Sequence, residues 1–314
     1  MRHLVTGTAG FIGSQVAKRL LERGDEVVGL DCFLNSYPRS LKEDRIRSLM
    51  DYENLEFIED DILTADLQRL MEGVDIVIHE AAQAGVRTSW GNNFESYSRN
   101  NIEATQKLLE VAKDLHIKKF VYASSSSVYG NAVEMPTKED SPTKPVSPYG
   151  VTKLAAEHLC YLYWKSFGVP VISLRYFTVF GPKPRPDMAH CIFSKAILSG
   201  KPIEVFGDGK QSRSFTYVSD VVDATVSAAE SDAAGDVFNI GGGVVSTMNE
   251  MIGVLEEITG KQALVRYVES QKGDVLHTFP DISKAEKLLN YHPKTSLREG
   301  LVEVVRSVKE FYKL

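Results

Sequence analysis

Three glycines spaced by two residues, Gly7, Gly10 and Gly13, join a short apolar run, His3-Leu4-Val5-Thr6, to a stretch with Ile12, Val16, Leu20 and Leu21 on one face and Gly24 at its end. This is a strand turning into a helix through a G-x-x-G-x-x-G loop. Gly7 permits the tight turn, Gly10 lets backbone approach a pyrophosphate, and Gly13 lets helix and strand pack closely, while the helix N-terminus attracts phosphates. In that context the loop, with Phe11 and Ile12 in its helical turn, predicts a dinucleotide site. The following run, Glu26 to Asp31, is a second strand ending in an acid at the distance expected for a carboxylate that holds an adenosine ribose diol. Asp31 argues for NAD, because a carboxylate there would repel the extra phosphate of NADP.

The alternation continues. Strand-like runs at Leu55–Ile58, Val74–His79, Lys119–Ala123 and Val169–Tyr176 are separated by helical periods, including one expected long helix from Asn93 to Leu115. Strands alternating with helices imply a Rossmann-type, doubly wound parallel sheet, in which ligands bind beyond the carboxyl ends of the strands. Gly7, Asp31, Asp61, Ala81 and Ser125 all fall there. Asp61 and Ile62 are expected to line an adenine pocket, and the small residues Ala81 and Ala82 to let a cofactor lie against backbone. His79 is expected to be a packed strand residue.

In Pro148-Tyr149-Gly150-Val151-Thr152-Lys153, the proline suits a first helical turn, and the apolar positions that follow have helical periodicity. Tyr149 and Lys153 therefore lie one turn apart on one face. An ammonium beside a phenol favours the phenolate, turning a weak acid of pKa about 10 into a usable base. After Thr178 the period loosens, which predicts a smaller C-terminal α/β substrate-binding region over the cofactor domain. The expected division is 1–177 for the cofactor and 178–314 mainly for the substrate, with segments near 214–245 returning to the sheet. The second region carries the cations Arg185, Lys210 and Arg213, of which Arg213 follows a tight turn and suits a diphosphate.

A net charge of −6 without a basic stripe argues against nucleic acid or an anionic membrane as partner. Cys32, Cys160 and Cys191 are widely spaced and lack a C-x-x-C, so neither a disulfide framework nor a metal site is expected. No apolar run approaches the roughly 18 residues of a membrane span, and the expected location is the cytoplasm.

These residues resemble the extended short-chain dehydrogenase/reductase superfamily and, within it, the nucleotide-sugar 4-epimerases. The resemblance rests on Thr6 to Gly13, Tyr149-x-x-x-Lys153, Arg175-Tyr176-Phe177, Arg213, Gly273-Asp274 and Asp281 to Ala285. It implies bound NAD, Tyr149 as catalytic base, and Lys153 holding the nicotinamide ribose and lowering the tyrosine pKa. Ser125 is the implied hydroxyl partner, Asn101 the implied structural asparagine near the cofactor, and Tyr176 a further cofactor neighbour. Arg87, Ser126, Val205, Arg213, Gln271 and Asp274 are the implied substrate contacts, and a homodimer the implied assembly. Ser214 and Gln271 stand where many relatives carry Asp and Arg, which implies a less cationic diphosphate site. Sugar dehydratases and UDP-glucuronate decarboxylases place acids where this chain has Ser126 and Ser127. Thr178 with Gly181 to Met188, and Ala82 to Arg87, are similar to the UDP-glucuronate 4-epimerases, with Thr178 and Arg185 expected at the sugar carboxylate. Neutral UDP-sugars such as UDP-glucose or UDP-N-acetylglucosamine are the alternative substrates, and a non-catalytic NAD-binding regulator is the alternative from another class.

Overall fold

β1 (Arg2–Thr6) lies at the heart of a seven-stranded, all-parallel sheet in a computed structural model that describes residues 1–314. With β2 (Glu26–Asp31), β3 (Leu55–Glu59), β4 (Ile76–His79), β5 (Lys119–Ser125) and β6 (Val171–Tyr176), the order runs Asp236–Ile240, β6, β5, β4, β1, β2, β3. Strand order reverses beside β1, so the crevice for a ligand opens at the carboxyl ends of β1 and β4. Parallel strands need helices on both faces, and there are two large apolar cores to match. One buries Val5, Val16, Leu20, Ile78 and Leu174, the other Leu4, Val77, Leu108, Phe120 and Tyr122. β6 begins at Val171 rather than Val169, since Pro170 has no N–H to give a ladder.

The expected long helix from Asn93 to Leu115 is broken. A short α-turn (Phe94–Tyr97) leads into a π-helical stretch (Ser98–Glu103) before a regular helix (Ala104–Ala112). The wide turn carries Asn101 into the interior, where its Nδ2 donates to the Gln83 carbonyl at 3.0 Å and to Thr152 Oγ1 at 2.9 Å, while its Oδ1 accepts from Gln83 N at 2.8 Å. Side-chain pairing with a distant loop and helix has overridden local periodicity.

Helices Ala189–Leu198, Met248–Thr259 and Leu297–Tyr312 pack around a third core containing Phe180, Phe193, Phe215, Met251, Leu255 and Leu301. Helices Met248–Thr259 and Leu297–Tyr312 start with reciprocal capping boxes, at Thr247/Glu250 and Ser296/Glu299. The chain recrosses between the lobes: helix Val218–Glu230 and strand Asp236–Ile240 join the large sheet, and Ala285, Leu289 and Tyr291 pack into its core. The cleft between the two lobes is therefore lined from many points in the sequence. No helix is long and apolar enough to cross a membrane.

Candidate active site

At the end of β1, Gly7 adopts φ +73° and donates its N–H to the Leu30 carbonyl at 2.8 Å. A Cβ on Gly7 would stand 2.7 Å from Ala81 N, and one on Gly13 only 2.2 Å from the Gly7 carbonyl. The ends of β1 and β4 and the helix N-terminus thus converge with only backbone between them, which leaves amide groups bare for a pyrophosphate. Asp31 closes this cradle on the β2 side, its two carboxylate oxygens accepting from Ala9 N at 3.0 Å and Phe33 N at 2.7 Å. Burial pushes the Asp31 carboxyl up, and the nearby Lys42 ammonium pulls it back. Glycine loop and fixed carboxylate together fit a dinucleotide carrying a ribose diol.

Arg45, 2% exposed, straps this cradle to the other lobe. Its guanidinium donates to Tyr37 Oη at 2.7 Å, to the Ala9 carbonyl at 3.3 Å, and to the carbonyls of Lys183 at 2.8 Å and Pro184 at 3.2 Å. Asp61 accepts from Leu63 N at 2.9 Å and lies 3.6 Å from Arg99. Ile62, expected beside it in an adenine pocket, instead packs its side chain into the core with Leu30 and Val77. Ala81 and Ala82 are half-buried on the loop after β4.

Helix Pro148–Phe167 has proline in its first turn and is capped by Ser147, whose Oγ accepts from Gly150 N at 3.1 Å. This start presents Tyr149 beside Ser125 at the end of β5 and edge-on to the Tyr97 ring, 6.2 Å away. Ser125 Oγ also accepts from Ser127 N at 3.1 Å, which orients it. Ser126 begins the short turn after β5 and is half-buried. Lys153, one helical turn on, is 3% exposed, and its ammonium sits 4.5 Å above the Tyr122 ring. Burial lowers Lys153 to about 8. Burial also raises the Tyr149 phenol, against the pull of the nearby Ser125 hydroxyl and of the Arg185 guanidinium. In the chain alone, desolvation of the phenolate outweighs these two partners. His79 is buried between Thr6 Oγ1 at 2.7 Å and Thr105 Oγ1 at 3.0 Å, with its imidazole lowered to about 3 by burial, so it is the packed strand residue expected.

Beneath the helix, Glu157 accepts from Ser124 Oγ at 2.6 Å and from the Arg175 Nε at 3.0 Å and Nη2 at 2.5 Å. Arg175 also donates to Tyr129 Oη at 2.7 Å and the Glu139 carbonyl at 2.9 Å, and Tyr129 donates to Asn239 Oδ1 at 2.7 Å. Four adjacent elements at the cleft floor are locked together by this network.

On the facing lobe, Arg185 bonds Asp187 Oδ1 at 3.0 Å and acts electrostatically on Tyr149, so it belongs to the same cleft. Thr178, partly exposed, follows β6, and its carbonyl accepts from Thr216 N at 2.9 Å. Arg87 pairs with Asp274 at 2.7 Å and lies 4.1 Å over the Phe206 ring. Arg213 donates to the carbonyls of Ser212 at 2.8 Å and Leu276 at 3.2 Å, within the fields of Asp274 and Arg87. The structure thus gathers Arg87, Arg213 and Asp274 into one group. Gln271 is exposed near it in sequence, and Lys210 is solvent-facing beside Asp208. Val205 does not join them: 1% exposed, its side chain fills the third core, and its strand neighbour Phe206 meets Arg87 instead.

Residues 3–241 match the model of the NAD dependent epimerase/dehydratase family. The chain belongs to that family. Among similar proteins, the UDP-glucuronate 4-epimerase of Thermodesulfobacterium geofontis is 42% identical over 98% of this chain and 96% of its own. A Bacillus subtilis protein called uncharacterized UDP-glucose epimerase YtcB is 44% identical over 99% of both. Among solved structures, the UDP-glucuronic acid 4-epimerase of Bacillus cereus, in complex with UDP-glucuronic acid and NAD, superposes with a TM-score of 0.97 at 46% identity, covering 99% of this chain and 100% of that one.

Within this epimerase/dehydratase frame, the sequence reading missed Glu80, Arg45 and the Glu157–Arg175 pair. Glu80 follows the last residue of β4, and Tyr176 Oη donates to its Oε1 at 2.7 Å. An acid between an apolar strand and two alanines was the available signal, because such a position is seldom charged without a partner. Glu157 is one further turn from Lys153 on the same helix, a spacing readable as a shared face.

Proposed function

We propose that this chain is a UDP-sugar 4-epimerase interconverting UDP-glucuronate and UDP-galacturonate. The observation that carries this is that Tyr149, beside Ser125 and one helical turn before Lys153 at the end of the dinucleotide cradle, lies within the field of Arg185, a guanidinium from the facing lobe. Base and carboxylate-matching cation are then within one sugar's reach.

Tyr149 is the base and takes the proton of the sugar 4-hydroxyl, with Ser125 holding the oxygen in line. NAD, held there, would supply the acceptor and donor for the hydride of carbon 4, so the reaction would have no net redox change. Lys153 holds the nicotinamide ribose. The glycine loop, with Phe11 and Ile12 in its first turn, holds the pyrophosphate, and Asp31 the adenosine ribose. Asp61, Ala81, Ala82, Asn101 and Tyr176 complete the cofactor's surroundings. The 4-keto sugar turns over in the cleft, and Tyr149 returns its proton to the oxygen as the opposite face is reduced. Arg87, Arg213 and Asp274 hold the diphosphate end, with Gln271 and Ser126 at the margins. A ketone at carbon 4 is beta to the carboxylate, and loss of carbon dioxide needs the breaking bond aligned with the carbonyl π system. Thr178 and Arg185 pin the carboxylate out of that alignment.

Residues 1–177 with the returning segments thus serve the cofactor, and 178–314 mainly the substrate. The outward face of helix Pro148–Phe167 leaves Tyr161, Leu162 and Phe167 about half exposed, which supports a homodimer through this helix and Ala104–Ala112. The location we assign is the cytoplasm.

Purified protein incubated with UDP-glucuronate should yield UDP-galacturonate and no UDP-pentose. Tyr149→Phe should lower turnover by roughly a hundredfold or more while keeping fold and NAD binding. Unaltered turnover in that variant overturns the base assignment. Faster conversion of UDP-glucose than of UDP-glucuronate overturns the substrate.

A further inference from the structure

Glu80 is a carboxyl set into the floor of the cleft that the reaction described above does not use. It is half-buried, with the Gly7 turn against its backbone on one side. Its Oε1 meets Tyr176 Oη at 2.7 Å, Tyr176 Oη lies 2.7 Å from Thr225 Oγ1, and Thr225 Oγ1 lies 2.8 Å from the Val221 carbonyl. This chain of hydroxyls has two proton arrangements. With Glu80 protonated, each group donates to the next, from carboxyl to Tyr176 to Thr225 to the Val221 carbonyl, and every member is satisfied. With Glu80 ionised, Tyr176 donates to the carboxylate, and the single Thr225 proton can serve either Tyr176 or Val221 but not both. The Val221 carbonyl lies inside helix Val218–Glu230 and takes the helical N–H of Thr225 whichever way the Thr225 hydroxyl turns, so both arrangements are satisfied and the geometry suits a carboxyl able to hold either charge.

We propose that Glu80 is a tuning residue of the catalytic pair: ionised, it opposes the Tyr149 phenolate and supports the Lys153 ammonium, and protonated, it releases both.

The electrostatics agree with the geometry. Burial raises the Glu80 carboxyl to about 7, against the pull of the Tyr176 hydrogen bond and of Lys153. Glu80 is the largest of the charges that raise Lys153, and it is among the groups that raise Tyr149. The other groups facing this site are accounted for. From the catalytic helix, Glu157 and Cys160 also act on Lys153, and from β4 His79 is held neutral by burial. From the facing lobe Arg185 favours the phenolate, and from the helix before Ser98 Tyr97 opposes it. None of these five side chains is hydrogen-bonded to Glu80 or its hydroxyl chain, so replacing Glu80 leaves their contacts in place.

This inference rests on Tyr149 and Lys153 being the catalytic pair, and its test separates the two claims. The pH profile of kcat/KM for UDP-glucuronate is measured for the wild type, Glu80→Gln and Thr225→Val. The phenolate absorbance near 295 nm is titrated in the same proteins as a difference against Tyr149→Phe in each background. Glu80→Gln should move both limbs, and the Tyr149 titration, down by about one pH unit. That is the size a unit charge roughly 10 Å away exerts at an effective dielectric constant near 20. Thr225→Val removes the acceptor that the protonated arrangement needs, favours ionised Glu80, and should move the acid limb up. A Glu80→Gln profile that superimposes on the wild type after scaling, with an unmoved Tyr149 titration, overturns the proposal and leaves Glu80 a structural residue. If Tyr149→Phe itself keeps the wild-type rate, the catalytic reading fails instead. Should Glu80→Gln fail to fold, a downward or absent shift in Thr225→Val refutes the tuning role.

Discussion

Glu157→Gln should destabilise this protein by about 3–5 kcal/mol, the usual cost of removing one partner of a buried ion pair. Glu157 and Arg175 are each 5% exposed, so neither can turn to water. Three donors converge on the carboxylate: Ser124 Oγ, Arg175 Nε and Arg175 Nη2. An amide of the same shape offers one oxygen instead of two and turns an NH2 group toward the guanidinium, so at least one donor is orphaned and Arg175 is left an unbalanced buried cation. Tyr129 and the Glu139 carbonyl still hold Arg175 but carry no compensating charge. In urea, with a slope near 3 kcal/mol per molar, the midpoint should fall by roughly 1 M or somewhat more. Glu157→Leu combined with Arg175→Met removes both charges and should recover most of the loss, because well-packed apolar residues can replace a buried pair at little net cost. A loss below about 1 kcal/mol in Glu157→Gln, or a double variant less stable than the single one, would refute this account.

Asp31→Ala removes the acceptor of Ala9 N and Phe33 N, and should weaken NAD binding and relax discrimination against NADP, read by titrating both cofactors; a wild type with no preference between them would remove the basis for this. Arg185→Ala should raise KM for UDP-glucuronate more than for any neutral UDP-sugar turned over, and Thr178→Ala should act in the same direction; release of UDP-pentose by either variant would mark the carboxylate clamp, and unchanged turnover in both would place it elsewhere. Glu80 also links stability to pH. Its folded value of about 7 lies above the ordinary 4.5, so its contribution is fully present below pH 4.5 and is lost as pH rises through 7. Glu80→Gln should therefore be more stable than wild type at pH 8, by at most roughly 3 kcal/mol less the screening of its exposed part, and should lose that advantage at pH 4.5; thermal melts at the two pH values check it, and an equal difference at both would contradict it.

The sequence by itself determined the elements whose information is local. The Gly7, Gly10 and Gly13 turn, the acid at the end of β2, the helical spacing of Tyr149 and Lys153 and the strand–helix alternation each lie within a few residues, where sterics and periodicity decide. That was enough for a parallel sheet, a dinucleotide cradle and a Tyr–Lys pair beside Ser125. Tertiary structure decided what depends on partners far away in the chain. Asn101 bends its helix because its partners are Gln83 and Thr152. Arg45 is buried because the Lys183 carbonyl, 138 residues on, receives it. Ile62 and Val205 turn into cores rather than into the cleft, since one position on a strand or its flank can face either way and only packing selects. The charge balance of the site belongs to the same class. A Tyr–Lys spacing says that a cation is near a phenol, but only the burial of Tyr149, the cross-lobe Arg185 and the Glu80 carboxyl on its hydroxyl chain set which protonation state the folded protein favours.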